Sequence, residues 1–321
     1  MTFLRRYGSM AGMAAILIFF AVMKPETFPT LGNWLNISQQ VSMLLVVAVT
    51  MTVVMAMGDF DLSVGAMASL SGIVCAAAFV QGFSIPAALA LGLLVGVLGG
   101  VLNGVLVSLA GLLPFVATLA TMTVFSGLAF ILSDGRTIAG ADIPAGFGEF
   151  ARSGWVIAMD GVRALRLPPL TLVALGVTFV VWIVLEQTSY GRRLYAIGGN
   201  TEAARLAGVP VAALRLSAFA ITGLGAAVAG LMYAGRVASA NPVQGDGLML
   251  SAIAAVFLGQ SLTESGQPRV LATVAGVIVL GALDNGLTQM RVDSYVREVL
   301  VGVIIVLAVG VSALARKSTR R

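Results

Sequence analysis

Histidine is absent from this 321-residue chain, cysteine occurs once, and lysine stands only at Lys24 and Lys317. The first absence removes the commonest general acid–base group and the commonest metal ligand. Cys75 sits alone in an apolar stretch; it makes no internal disulfide and reads as a small packing residue. Neither lysine follows a glycine, as the lysine of a Walker A loop must, so the chain binds no ATP through a P-loop. Charge is scarce as well. Charged residues make up 10%, against roughly 25% in a soluble domain, too few to cover a water-facing surface. The pI near 9.9 comes without a basic patch interleaved with aromatics. Nucleic acid is therefore not read as a partner, and the excess cations are assigned to membrane orientation.

What is present is apolar. The chain is 59% hydrophobic, with a mean hydropathy of +1.00. Its runs approach the ~20 residues that a helix needs to cross a bilayer, and they lack the alternation of barrel strands. Thirty-eight glycines suit helices packing closely in lipid, where small residues let backbones approach. The expected fold is an all-α polytopic membrane protein forming a single domain over 1–321.

About ten spans are expected: 9–24, 41–57, 63–80, 85–109, 113–132, 168–187, 214–234, 248–262, 269–290 and 296–314. The first is preceded by Arg5 and Arg6 and lacks a small-residue cleavage pattern, so it reads as an uncleaved helix. Segments 41–57 and 248–262 are short, as broken helices would be. An even span count puts both termini on one side. That side carries eleven cations, the other eight, with Asp246 among the acids of the second. The bias places the termini and a 188–215 loop in the cytoplasm. A long 133–167 loop lies outside, as a docking surface or a mobile connector.

Two motif pairs echo each other. Gly99-Gly100-Val101-Leu102-Asn103-Gly104 resembles Gly281-Ala282-Leu283-Asp284-Asn285-Gly286, and the Gly58–Ser63 turn resembles Gly245–Ser251. In this topology the partners run in opposite directions, as an inverted repeat of spans two to five and seven to ten requires.

Three places carry polar chemistry. In Tyr190–Pro210, Thr201 is suited to cap a short helix through Glu202, Ala203, Ala204 and Arg205. Glu202 then meets the positive end of that helix, and Gly208 with Pro210 stops it. A short amphipathic helix between spans suits contact with a soluble partner. In Gly58–Gly65, Asp61 or Ser63 is placed to cap the next span, with Asp59 nearby. No further acid or histidine lies near in sequence, so this is not read as a metal site. Asp284 and Asn285 interrupt span nine, where an ionisable group lines a pathway or bonds across a helix crossing; Asn103 at the matched position favours the crossing.

These stretches resemble the permease subunit of ribose-type sugar ABC importers, bacterial inner-membrane proteins. The resemblance runs from about Val41 to Val311. It is carried by Gly58-Asp59-Phe60-Asp61-Leu62-Ser63-Val64-Gly65, by Tyr190 to Gly208, by Ser251-Ala252-Ile253-Ala254-Ala255-Val256 and by Asp284-Asn285-Gly286-Leu287. It implies that two permease chains form the pathway and that an external binding protein delivers a pentose or hexose. Two ATPase subunits, which hold ATP and Mg, engage Gly199, Asn200, Thr201, Glu202, Ala203, Ala204, Arg205 and Gly208. This chain itself is then no enzyme and holds no cofactor. Asp59, Ser251, Asp284 and the Gly259–Pro268 turn depart from the family pattern; they bear on the substrate and on whether the chain pairs with itself or with a different permease. A branched-chain amino-acid permease is the near alternative. An ion-coupled carrier wants titratable groups along its path, and only Asp284 qualifies. An integral-membrane enzyme would need nucleophile, base or metal clusters, and none is visible.

Overall fold

A computed structural model describes residues 2–161, 163–263, 266–296, 299–300 and 302–303. In chain order its helices are α1 (Thr2–Met23), α2 (Leu31–Met55), α3 (Val64–Val80), α4 (Ile85–Ser108), α5 (Pro114–Ser133), α6 (Ala145–Arg152), α7 (Pro169–Trp182), α8 (Ser189–Gly199), α9 (Thr201–Leu206), α10 (Val211–Val237), α11 (Asp246–Gln260) and α12 (Val270–Gln289). Four short strands, β1 (Ile138–Ala139), β2 (Trp155–Asp160), β3 (Arg163–Leu167) and β4 (Ser239–Ala240), pair antiparallel as β1 with β4 and β2 with β3.

Among the described residues, six helical stretches are long and apolar enough to cross a membrane: α2, α4, α5, α10, α12, and α7 with its π-helical continuation to Gln187. The apolar part of α1, with α3 and α11, is shorter. Each of the first nine expected spans is matched by a helix, and 296–314 lies almost wholly outside the described residues. Proline opens α4, α5 and α7, where a missing N–H costs no intrahelical bond and the fixed φ is already helical.

The expectation of a short second span fails. α2 begins at Leu31, where Thr30 accepts from the Asn33 N–H at 3.3 Å. Its first turns are polar, so hydropathy alone passes over them. Those polar groups are satisfied by neighbours: Ser38 Oγ is 2.9 Å from Thr171 Oγ1 on α7.

α3 is buried along almost its whole length, as is α2 beyond Val41. α10 crosses α4 with backbones in contact. Gly100 lies against the Phe219 carbonyl and Gly223 against the Gly96 carbonyl, where any Cβ would collide. The packing repeats itself: α10 packs on α3 and α4 as α2 packs on α11 and α12, and α3 packs on α4 as α11 packs on α12.

One end of the bundle, the near end, carries α8, α9 and the turns after α2 and α11. The far end carries the segment between α5 and α7. That segment is not a plain connector. α6 packs on α10 and α7, Phe147 meets Phe79 of α3 at 5.2 Å between ring centroids, and β2–β3 forms a hairpin.

Candidate coupling and pathway sites

At the near end, α8 braces α9 against the bundle. Leu194 and Ile197 of α8 are buried, and Gly198 sits against the Ala56 carbonyl just past α2. Tyr190 Oη lies 2.9 Å from Ser217 Oγ of α10. Tyr195 donates to the Pro268 carbonyl at 2.7 Å. Burial and then the nearby Glu186 carboxylate push the Tyr195 phenol up to about 12, with Arg269 acting the other way. Glu186 Oε1 in turn accepts the Val270 N–H at 2.8 Å, joining the end of α7 to the start of α12.

The expected cap is displaced by one residue. Asn200, extended at φ −159° and ψ 102°, is the N-cap of α9, and its side chain accepts from the Ala203 N–H at 3.0 Å. Thr201 is already helical and donates to the Ile197 carbonyl at 3.0 Å. Its backbone points the hydroxyl back along α8, whereas Asn200 has the extended geometry a cap needs. Gly208 ends the helix at φ +80°, a conformation that favours glycine. Ala204 is buried beneath α9; Glu202, Ala203, Arg205, Leu206, Ala207 and Gly208 are exposed. Arg205 pairs with Glu202 at 2.7 Å, and that pair holds the Glu202 carboxyl below its usual range. Leu206 is 78% exposed. Absent from the residues expected from sequence, it gives the patch an apolar centre between charges, and its neighbour Glu202 was the only signal.

The Gly58–Gly65 turn does not cap α3 as expected. Asp61 Oδ1 instead accepts the Ser63 N–H at 2.9 Å and the Ser63 hydroxyl at 2.6 Å. Asn103 of α4 donates to Ser63 Oγ at 2.8 Å, and Thr121 of α5 donates to Asn103 Oδ1 at 2.6 Å. All four side chains are buried. A satisfied network of this kind fixes how three helices meet. Asp59 faces the other way and pairs with Arg215 of α10. Arg215 lies 156 residues from Asp59, and Thr121 lies 18 residues from Asn103.

Asp284 is partly buried on α12 and Asn285 is buried. Gln289 donates to Asn285 Oδ1 at 2.8 Å and to Asn33 Oδ1 at 3.0 Å, while Thr27 donates to Gln289 Oε1 at 2.6 Å. Asn285 thus belongs to a far-end network joining α12 to the start of α2.

Gly245 also lies apart from its expected place. Its N–H donates to Ser69 Oγ of α3 at 2.8 Å. Asp246, expected in an outer loop, therefore begins α11 alongside α3. The glycines explain this: Gly65 and Gly245 touch backbone to backbone, a contact invisible to hydropathy.

A family model described as the permease component of branched-chain amino acid transport systems matches residues 33–309. The chain is 37% identical over 306 residues to the ribose import permease protein RbsC of Bacillus subtilis, covering 95% of this chain and 92% of that one. It is 32% identical over 315 residues to the L-arabinose transport system permease protein AraH of Escherichia coli, covering 98% and 92%. The D-allose transport system permease protein AlsC of Escherichia coli is 31% identical over 313 residues, covering 97% and 93%. No solved structure matches. An apolar helical bundle locked through glycine crossings, an exposed capped helix at one end and relatives along nearly the whole length agree: this chain is a membrane-spanning permease component of the ribose-type ABC importer family, not an enzyme.

Proposed function

We propose that this chain is the pathway of an ATP-driven importer for a pentose or hexose handed over by an external binding protein. The observation that carries it is α9: a short capped helix, exposed on all but one side, braced through α8 against α2, α10 and the turn before α12. Only a partner protein gives such a patch a use. In this reading two chains, as like or unlike copies, form the pathway in the bacterial inner membrane. The near end and both termini face the cytosol. Two ATPase subunits, which hold ATP and Mg, press on Gly199–Gly208 as they close. The binding protein meets the far end, where a polar cleft of about 640 Å³ opens between Asn33, Asn36, Gln39, Asp160, Arg166 and Gln289.

The test is uptake into proteoliposomes holding the chain, its ATPase and its binding protein. D-ribose, D-allose, L-arabinose and L-leucine are each supplied in labelled form. ATP-dependent uptake of a sugar is expected. Uptake of leucine alone would move the chain to amino-acid transport, and uptake driven by an ion gradient without ATPase would overturn the reading. Orientation is checked separately: Thr201→Cys in intact cells should resist an impermeant thiol reagent.

A further inference from the structure

Asp246 opens α11 well inside the bundle. After α10 ends at Val237, β4 pairs with β1 at the far end. The chain then turns inward, and the Gly245 carbonyl lies where a Cβ on Gly65 would come within 2.6 Å of it. Gly65 and Ser69 belong to the inner half of α3, which runs from Val64 to Val80 over 17 residues. At 1.5 Å per residue, Asp246 lies roughly 17 to 23 Å below the far end of α3. That is between half and three-quarters of a ~30 Å hydrocarbon layer.

The rest of α11 packs against the bundle through Leu248, Ala252, Ala255, Val256 and Gly259. Asp246, Gly247 and Leu250 are exposed, Leu250 by 67%, and Ile253, Phe257 and Gln260 continue the same stripe half-covered. Among the described residues no hydrogen bond or ion pair holds the Asp246 carboxylate. A carboxylate at this depth does not face lipid tails; it faces a bundle interior or a water-filled cavity.

We propose that this stripe of α11 lines the solute pathway and that Asp246 is a specificity-determining residue, accepting hydrogen bonds from hydroxyls of the passing sugar. Acceptor-only carboxylates suit polyhydroxylated solutes, each of whose hydroxyls donates once. The proposal rests on the sugar-import reading above.

The experiment uses the complete transporter, permease with ATPase and binding protein, in a Cys75→Ala background. Asp246→Cys is compared with Val124→Cys, at an exposed apolar site midway along α5. Both are treated with a charged methanethiosulfonate, nucleotide-free and with ATP and vanadate. Asp246→Cys should react at least tenfold faster in one of the two states. Asp246→Leu should lower uptake of whichever test sugar the wild type carries at least fivefold. If Asp246→Leu fails to copurify with the ATPase, the isosteric Asp246→Asn takes its place under the same criterion. Equal thiol rates in both states, a disulfide between two copies at Asp246→Cys without reagent access, or uptake lowered less than fivefold overturns the proposal. If the wild type carries none of the sugars, the import reading fails by itself, and the thiol rates still report whether this face meets water.

Discussion

Arg215, at the start of the second turn of α10, grips Asp59 across 156 residues of chain, with Nε 2.7 Å from Oδ2 and Nη2 3.2 Å from Oδ1. The forked contact joins the turn between α2 and α3 to the helix that follows α9. The pair thus ties the start of α10 to the link between two central helices through one guanidinium.

Because the pair is largely buried, removing one partner strands the other. Asp59→Asn or Arg215→Leu should each destabilise the protein by about 2 kcal/mol, and the double variant should cost clearly less than the sum. Thermal unfolding in detergent measures all three. Additive losses would show that the two groups act independently.

Glu202→Lys places like charge beside Arg205, and Gly208→Trp forces a bulky residue into the left-handed region. Both should insert normally yet recover at least tenfold less ATPase on copurification; Leu206→Asp should do the same. Undiminished copurification in all three would remove α9 from the coupling role.

Gly100→Val pushes a branched side chain into the Phe219 carbonyl at the α4–α10 crossing. Backbone gives way poorly, so a loss of about 3 kcal/mol or more is expected. Gly127→Val on α5, where nothing lies within 4 Å of an added Cβ, is the control and should fall within ±0.5 kcal/mol. Equal melting points for the two would contradict the crossing geometry.

Tyr195 gives a pH signature. Its phenol titrates near 10 when unfolded but is pushed up to about 12 in the fold. The native state thus keeps a proton that the unfolded chain has lost. Its contribution to stability is complete below pH ~10 and disappears between there and about 12. Tyr195→Phe should cost about 1 kcal/mol at neutral pH and flatten the alkaline decline in melting point. An unchanged alkaline slope would refute the assignment.

Asp284→Asn should retain uptake if α12 uses this position for packing. Complete loss with normal expression would instead assign Asp284 to the pathway.

The local grammar of the chain was legible. Gly208 and Pro210 stop α9 where expected, because a left-handed turn and a missing N–H act within a few residues. Thr201 and Asn200 compete for the cap in the sequence because both side chains accept hydrogen bonds, and only the backbone angles separate them. The Asp59–Arg215 and Asn103–Thr121 partnerships arise from packing between helices, which composition and periodicity do not encode. The start of α11 is hidden for the same reason: Gln244-Gly245-Asp246-Gly247 reads as a loop, but Gly65 lies beneath it. The polar start of α2 escapes a hydropathy reading because its partners, Thr171 and Gln289, lie far along the chain.

The anchoring of α8 carries one more consequence. With Tyr190 tied to α10, Tyr195 to the turn leading into α12 and Gly198 wedged beneath the end of α2, this segment has little slack in any direction. If an ATPase presses on α9 as proposed, this segment would serve as a crank rather than a spring: a thrust at Leu206 would turn three helices together instead of being absorbed locally.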